Sequence, residues 1–316
     1  MRAVVFGCTG QDGSLLCRSL VRQGYEVIGV SRSRSSAPDL HQHLGISESL
    51  RYVSADLRDF RSVLELLTHH QPSEIYHLAA QSSVGLSFRE PVKTCQSIID
   101  STINLLEVVR YLGDPFRVFF AGSSEVFKPS TLPLTLASPF CPMSPYAIAK
   151  AAAFHLVKLY RDVYSLQCVT GVLFNHESPY RSHEFVTHKI IHGALRCVND
   201  PDFRLQLGNL QVARDWGWAE EFVEAMQLLL RADTLSDQLI CTGRMVSLQY
   251  FVEQAFARVG LDWNNHVQIQ PSLLRPTDIP ESVGDPEPME QHTGWRASKD
   301  VDVVIDALLE AARNSV

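Results

Sequence analysis

Positive charge, long apolar runs and clustered cysteines are all scarce in this 316-residue chain. With 28 Lys+Arg against 35 Asp+Glu the formal net charge is -7. That argues against a nucleic-acid binder, which needs a basic face to neutralise phosphates. No apolar stretch reaches the roughly 18 residues of a membrane-spanning helix. The start, Met1-Arg2-Ala3-Val4-Val5-Phe6, runs directly into a glycine turn and lacks the apolar core and cleavage site of a secretory signal. A cytoplasmic protein without membrane attachment is expected. The seven cysteines are scattered and never fall in CxxC spacing, so reduced packing residues are expected. Among the 12 histidines, His41-Gln42-His43 and His69-His70 lie closest together. Neither pair has a Cys or carboxylate at a ligand-like offset, so both read as solvated loop or helix-end residues, and no metal is expected. Internal repeats and low-complexity tracts are absent too.

What is there is ordinary for a soluble globular protein: 45% hydrophobic and 20% charged residues. Short apolar runs at 3–6, 25–30, 50–53, 74–78, 117–120, 168–173 and 239–242 read as strands. Stretches at 13–22, 62–67, 98–111, 146–164 and 301–312 carry apolar residues at helical spacing. Strands this apolar, alternating with helices, predict an α/β fold: a Rossmann-like, doubly wound parallel sheet covered on both faces. From about residue 175 polar, Pro-rich and Gly-rich loops intervene. The expected organisation is a dinucleotide-binding domain over 1–174, with a return crossover near 210–243. A smaller substrate-binding domain would use 175–209 and 244–316.

The first turn, Gly7-Cys8-Thr9-Gly10-Gln11-Asp12-Gly13, follows a strand and opens a helix. Its glycines permit a tight turn and close backbone approach, and the helix N-terminus offers free N–H groups to a pyrophosphate. Gly7, Thr9, Gly10, Gln11, Asp12 and Gly13 are therefore candidate cofactor ligands. After the second strand an NAD-preferring site places an acid. Here Val30-Ser31-Arg32-Ser33-Arg34 has none, and Arg32 and Arg34 suit a 2′-phosphate, which favours NADP over NAD. Asp56 and Leu57, after the third strand, are placed to meet the adenine.

Tyr146 and Lys150 are spaced i, i+4, on one helical face. A phenol, with a pKa near 10, is a poor base at neutral pH, but a nearby ammonium and an oxidised nicotinamide both favour phenolate. Tyr146 can then exchange a proton with an alcohol while hydride moves to the nicotinamide. Upstream, Gly122-Ser123-Ser124-Glu125 ends a strand at the ligand-binding end of such a sheet. Ser123 can bond the same hydroxyl. Glu125 is the unusual residue: oxidation of an alcohol needs no further carboxylate, whereas removing a proton alpha to a ketone does.

These residues resemble the extended short-chain dehydrogenase/reductases and, within them, the GDP-mannose 4,6-dehydratase family, over almost the whole chain. The resembling segments are GCTGQDGS (7–14), IYHLAAQS (75–82), GSSEVF (122–127), PFCPMSPYAIAK (139–150), GVLFNHESP (171–179), EFVTHKI (184–190), LGNLQVARDWGWA (207–219) and RPT (275–277). The resemblance implies NADP-dependent oxidation at sugar C4 with Tyr146 as base, supported by Lys150 and Ser123. Glu125 then removes the C5 proton, water leaves from C6, and hydride returns to C6. It also implies that Leu78, Ala79, Ala80 and Ser82 line the cofactor. Ser83, Asn175, Glu177, Lys189, Arg214, Arg275 and Asp278 would face a nucleotide-sugar such as GDP-mannose. A homodimer or homotetramer is implied. The chain departs from the family where Ser33 separates two usually adjacent arginines. It also has Lys128 for a glycine, Met143 and His188 for arginines, and Asp278 for a glutamate. The alternatives are an epimerase or 4-keto reductase of the same superfamily, against which Glu125 beside Ser123 and the FNHESP segment argue, and a non-catalytic NADP-binding regulator, against which the joint retention of Ser123, Glu125, Tyr146 and Lys150 argues.

Overall fold

The protein is described by a computed structural model covering residues 1–32, 38–113 and 115–314. The first half runs β1 (Arg2–Phe6), α1 (Gln11–Arg22), β2 (Glu26–Ser31), α2 (Asp39–His43), β3 (Leu50–Ser54), α3 (Phe60–His70) and β4 (Glu74–His77). It continues with α4 (Val84–Arg89), α5 (Pro91–Cys95), α6 (Ser101–Leu112), β5 (Arg117–Ser123), α7 (Pro145–Tyr164) and β6 (Cys168–Leu173). The second half contributes β7 (Asn175–Glu177), α8 (Val186–Asn199), β8 (Leu205–Leu207), β9 (Ala213–Trp218), α9 (Ala219–Arg231) and β10 (Gln238–Ile240). It closes with β11 (Met245–Ser247), α10 (Leu248–Ala257), β12 (Val267–Ile269), β13 (Glu281–Ser282), α11 (Glu287–Thr293) and α12 (Val301–Asn314).

Seven parallel strands form the main sheet in the order β10-β6-β5-β4-β1-β2-β3. The strands are apolar on both faces because both are covered. Val4, Phe6, Val118 and Phe120 pack with Leu105, Val109 and Val157 on one side. Their neighbours Ala3, Val5 and Phe119 pack with Leu15, Leu16, Phe222 and Met226 on the other, the period of two that a pleated strand imposes. Strand order reverses between β1 and β4, which opens a crevice at the carboxyl ends of the strands.

The later chain builds a second core. β9 is its central strand, paired with β11 and β13 and, beyond them, with β7. Trp216, Trp218, Ile190, Phe251, Phe256 and Ile305 bury together between that sheet and α8, α10 and α12. Within the expected 210–243 crossover, α9 and β10 join the main sheet, whereas β9 stays with the small one. Met289 of α11, with Trp295 and Ala297, packs back into the main core. Among the described residues no helix is long and apolar enough to cross a membrane.

Two sequence expectations are corrected. His41 is not solvated. It lies fully buried beneath the first turn, Nε2 2.8 Å from the Cys8 carbonyl and Nδ1 2.7 Å from the Tyr52 hydroxyl. His70 is buried as well, while His43 and His69 are exposed. The seven cysteines are unpaired, and five are buried, but Cys141 is exposed. The expected helix over 98–111 is present: a π-helical segment, Gln96–Asp100, runs directly into α6.

The edge strand β10 is latched by Asp237. Its carboxylate takes both arms of the Arg161 guanidinium, at 2.7 and 2.5 Å, and the Thr170 backbone N–H at 2.7 Å. Asp237 is buried and Arg161 nearly so, so removing one partner strands the other charge. Asp237→Ala should cost about 3–5 kcal/mol in urea unfolding. A loss below about 1 kcal/mol, the scale of an exposed pair, would show that the latch is not needed.

Candidate active site

The first turn separates its glycines by function. Gly7 has φ +85°, and a Cβ there would lie 2.8 Å from the Ala79 nitrogen. A Cβ on Gly13 would lie 2.0 Å from the Gly7 carbonyl oxygen. Both are demanded by the protein's own backbone. A Cβ on Gly10 would meet only the Gly7 oxygen, at an ordinary 3.5 Å, and the residue is exposed. The remaining reason for glycine there is room for something outside the chain. Gly10 precedes α1 without a side-chain cap, so the first helical N–H groups are left for an anion. A glycine cradle with a bare helix N-terminus fits a dinucleotide pyrophosphate.

Not every expected cofactor residue offers its side chain. The Asp12 carboxylate is taken by His176 Nε2 at 3.0 and 3.1 Å and by the Gln11 amide at 2.9 Å. Burial opposes both charges, but the pair overcomes it: Asp12 stays below the usual carboxylate range and His176 above the usual imidazole range. His176 is fixed further by the Phe174 carbonyl at 2.7 Å and by stacking on Phe222, 4.6 Å between centroids. Thr9 is exposed on the turn, and Leu78, Ala79 and Ala80 line the facing lip half-buried, with Ser82 exposed beyond them. Arg32 is exposed past β2; Arg34 lies outside the described residues. Asp56 is held by Arg58, whose guanidinium approaches to 2.6 Å, and Leu57 is buried in the core.

At the reactive end, β5 delivers Ser123, whose hydroxyl accepts the Glu125 N–H at 3.3 Å. The helix α7 is started by Ser144, which accepts the Ala147 N–H at 3.1 Å, and by Pro145 at its first position. That start sets Tyr146 and Lys150, both buried, against Ser123. The Ser123 hydroxyl lies near enough to the Tyr146 phenol to favour its ionised form, against the effect of burial. Lys150 Nζ donates to the Ala121 carbonyl at 2.7 Å and stands 5.8 Å from the Tyr146 ring centre. Burial dominates both groups: the Tyr146 phenol is pushed up to about 12 and the Lys150 ammonium down to about 8.

Burial also raises Glu125 above the usual carboxylate range, against the pull of Arg214 and Arg275. Those arginines meet at Asp278, 2.9 Å from Arg214 and 3.5 Å from Arg275. Ser123, Glu125, Tyr146, Lys150, Arg214, Arg275 and Asp278 are therefore one constellation. Asn175 is half-buried on β7 and Lys189 exposed on α8. Ser83 caps α4, accepting the Leu86 N–H at 3.2 Å. Glu177 is sealed inside, bonded to the Thr187 hydroxyl at 2.7 Å and paired with Arg181 at 3.3 Å, so it shapes the crevice from behind.

Sequence reasoning missed His176, although it sits inside the FNHESP segment. It also missed His77. Burial and the Lys150 charge push that imidazole down to about 3, and its Nε2 lies 3.0 Å from Ser101 Oγ. Nor did it connect His183, His188 and His192, whose ligand atoms lie within 4.8 Å of one another; the HxxxH spacing on α8 was the available signal.

A seven-stranded parallel sheet, a glycine turn at its reversal point and a Ser-Tyr-Lys set define the class of short-chain dehydrogenase/reductase enzymes. Solved structures agree on the fold. UDP-glucose 4-epimerase from Thermotoga maritima matches with a TM-score of 0.89 at 21% identity, over 100% of this chain and 99% of that one. dTDP-glucose 4,6-dehydratase from Bacillus anthracis, in complex with NAD, matches with a TM-score of 0.87 at 17% identity, over 99% and 97%. The family model described as GDP-mannose 4,6 dehydratase matches residues 4–308. GDP-mannose 4,6 dehydratase 1 of Arabidopsis thaliana is 37% identical, covering 98% of this chain and 90% of that protein. The Vibrio cholerae GDP-mannose 4,6-dehydratase is 32% identical, covering 93% and 89%. The chain belongs to the GDP-mannose 4,6-dehydratase family.

The glycine geometry yields a contrast. Gly13→Ala should destabilise the fold by about 1–3 kcal/mol through overpacking. Gly10→Ala should cost no more than about 1 kcal/mol, yet weaken dinucleotide binding by about tenfold or more. Melting curves and dinucleotide titration of both variants check this, and normal binding by Gly10→Ala would refute a ligand at that glycine.

Proposed function

We propose that the chain is a nucleotide-sugar 4,6-dehydratase that converts GDP-mannose to GDP-4-keto-6-deoxy-mannose with a resident NADP. The observation that carries this reading is Glu125: a carboxylate with a raised pKa, grouped with Tyr146 and Ser123 and flanked by two arginines. Family membership supports the substrate.

The dinucleotide, when bound along Gly7–Gly13, Leu78–Ala80 and Arg32, supplies a hydride acceptor, a later hydride donor and a positive charge. The protein's groups do the rest. Tyr146 takes the proton of the sugar C4 hydroxyl, with Ser123 holding the oxygen and Lys150 adding positive charge nearby. The resulting C4 ketone acidifies C5–H. Glu125 removes that proton, and its desolvation makes it a stronger base than a carboxylate in water. The C6–O bond breaks as electrons move from C5, and the hydroxyl leaves as water, with Glu125 returning the proton. The C5–C6 double bond is then saturated by a hydride at C6, which the reduced dinucleotide would supply, and by a proton at C5, which balances the one Tyr146 took from the C4 hydroxyl. Arg214, Arg275 and Lys189 suit the diphosphate, with Asn175, Ser83 and Asp278 completing the pocket and Glu177 behind it. In this reading 1–174 with the 210–243 return bind the dinucleotide, and 175–209 with 244–316 bind the nucleotide-sugar. We take the enzyme to be a cytoplasmic homodimer or homotetramer; unpaired cysteines suit a reducing compartment.

Glu125→Gln separates oxidation from elimination. The variant should oxidise C4 but yield 6-deoxy product at least roughly 100-fold more slowly. It should accumulate a 4-keto sugar that keeps its 6-hydroxyl, and it should not exchange C5 deuterium with solvent. Wild-type rates of 6-deoxy product would remove the case for this carboxylate and for a dehydratase.

Arg32 and Arg34, with no acid beside them, favour a 2′-phosphate. Nucleotide extracted from the purified protein should therefore be NADP. Recovery of NAD alone would reverse the assignment.

A further inference from the structure

We infer that His183, His188 and His192 form a binding site for one zinc-class divalent ion, on the outer side of the segment that touches the nucleotide turn. His188 and His192 are separated by one helical turn of α8 and so share a face. His183 reaches the same point from the preceding loop. Their ring nitrogens lie within 4.8 Å of one another, with ring centres 4.6 Å apart for His183 and His192 and 5.6 Å for His183 and His188.

A second observation points to a ligand. His188 is only 4% exposed, and its Nε2 lies 2.9 Å from the Ser178 carbonyl oxygen. A carbonyl only accepts, so Nε2 carries the hydrogen. The other nitrogen, Nδ1, then presents a lone pair, and it is buried without a hydrogen-bond partner. A buried lone pair without a partner, on a ring grouped with two further imidazoles, is complemented by a cation. The arrangement also has the outer partner that metal-bound histidines use, an N–H donated to a backbone carbonyl.

Three imidazoles with a fourth position left to water suit zinc, with Zn–N near 2.0–2.1 Å. Closing the nitrogens onto one ion asks most of His183, the exposed member, whose side chain can turn; His192 is half-buried and His183 open, which leaves an entry path. Arg181, a positive charge near the cluster, is paired with Glu177 at 3.3 Å and lies over the Phe185 ring at 3.9 Å. An ion here would pin the loop bearing His183 onto α8. It would also brace Ser178, whose hydroxyl donates to Gln11 Oε1 at 2.8 Å beside the glycine turn.

The test uses the full-length protein stripped with a chelator and titrated with zinc chloride alone, by calorimetry and by melting. One equivalent per chain should bind and raise the melting temperature. His183→Ala and His192→Ala should each weaken binding about a hundredfold or more, roughly one ligand's share of a structural zinc affinity. His183→Ala, at an exposed position, should leave the zinc-free melting temperature unchanged, which separates lost ligation from lost folding. Cys141→Ser, altering the exposed thiol, should bind as the wild type does. Absence of saturable binding in the wild type would overturn the site, as would binding that survives both histidine variants or disappears in Cys141→Ser.

Discussion

The two halves of the molecule meet on one buried carboxylate. Asp215, in the middle of β9 and fully enclosed, accepts from the Thr242 N–H at 2.8 Å, the Thr242 hydroxyl at 2.6 Å, the Gly243 N–H at 2.9 Å and the Gly284 N–H at 3.3 Å. Burial raises its pKa while those four donors oppose the rise. The donors belong to the chain leaving the main sheet at β10 and to the stretch after β13. Asp215 therefore fixes the small sheet against the large one. Its neighbour Arg214 is aimed by the same strand at Asp278 and toward Glu125. A Cβ on Gly284 would lie 2.5 Å from Cys241 Sγ, so the joint closes too tightly to admit a side chain.

The buried titratable groups around the crevice share one electrostatic setting. Burial favours the uncharged form of the phenol, the ammonium, the carboxyl and the imidazole alike, at Tyr146, Lys150, Glu125 and His77. Groups so poorly solvated respond strongly to any charge brought beside them. The arginines near Glu125 and the Asp12–His176 pair beneath the turn are the fixed charges that this setting retains. A reactive intermediate in such a crevice is shielded from water by the groups that act on it.

Most of the main sheet was legible because its strands are buried on two faces, and an apolar run between helices has few other readings. The Ser-Tyr-Lys set and Glu125 were legible because β5 and α7 carry them at local spacings. What escaped depended on distant partners. His41 looked like a surface histidine until Cys8, Ser14 and Tyr52 closed around it. Asp215 lies next to Arg214, which the sequence did single out, but its donors are supplied by residues 242–284. The His183 cluster joins a loop to a helix, so no single local pattern displayed it. Asp12 was legible as part of the turn, while the direction of its carboxylate was set by His176, far along the chain.

The seventh strand has a consequence for the chain as it is made. β10 pairs with β6 but is synthesised only after β7, α8, β8, β9 and α9. At roughly 5–20 residues per second, β6 waits several seconds on the ribosome with an unpaired edge. During that interval Arg161 also waits for the carboxylate that will later hold it. An open, apolar strand edge invites pairing with another chain. The nascent protein is therefore most vulnerable to misassociation in the window between the emergence of β6 and that of Asp237, and a chaperone that covers strand edges would act there.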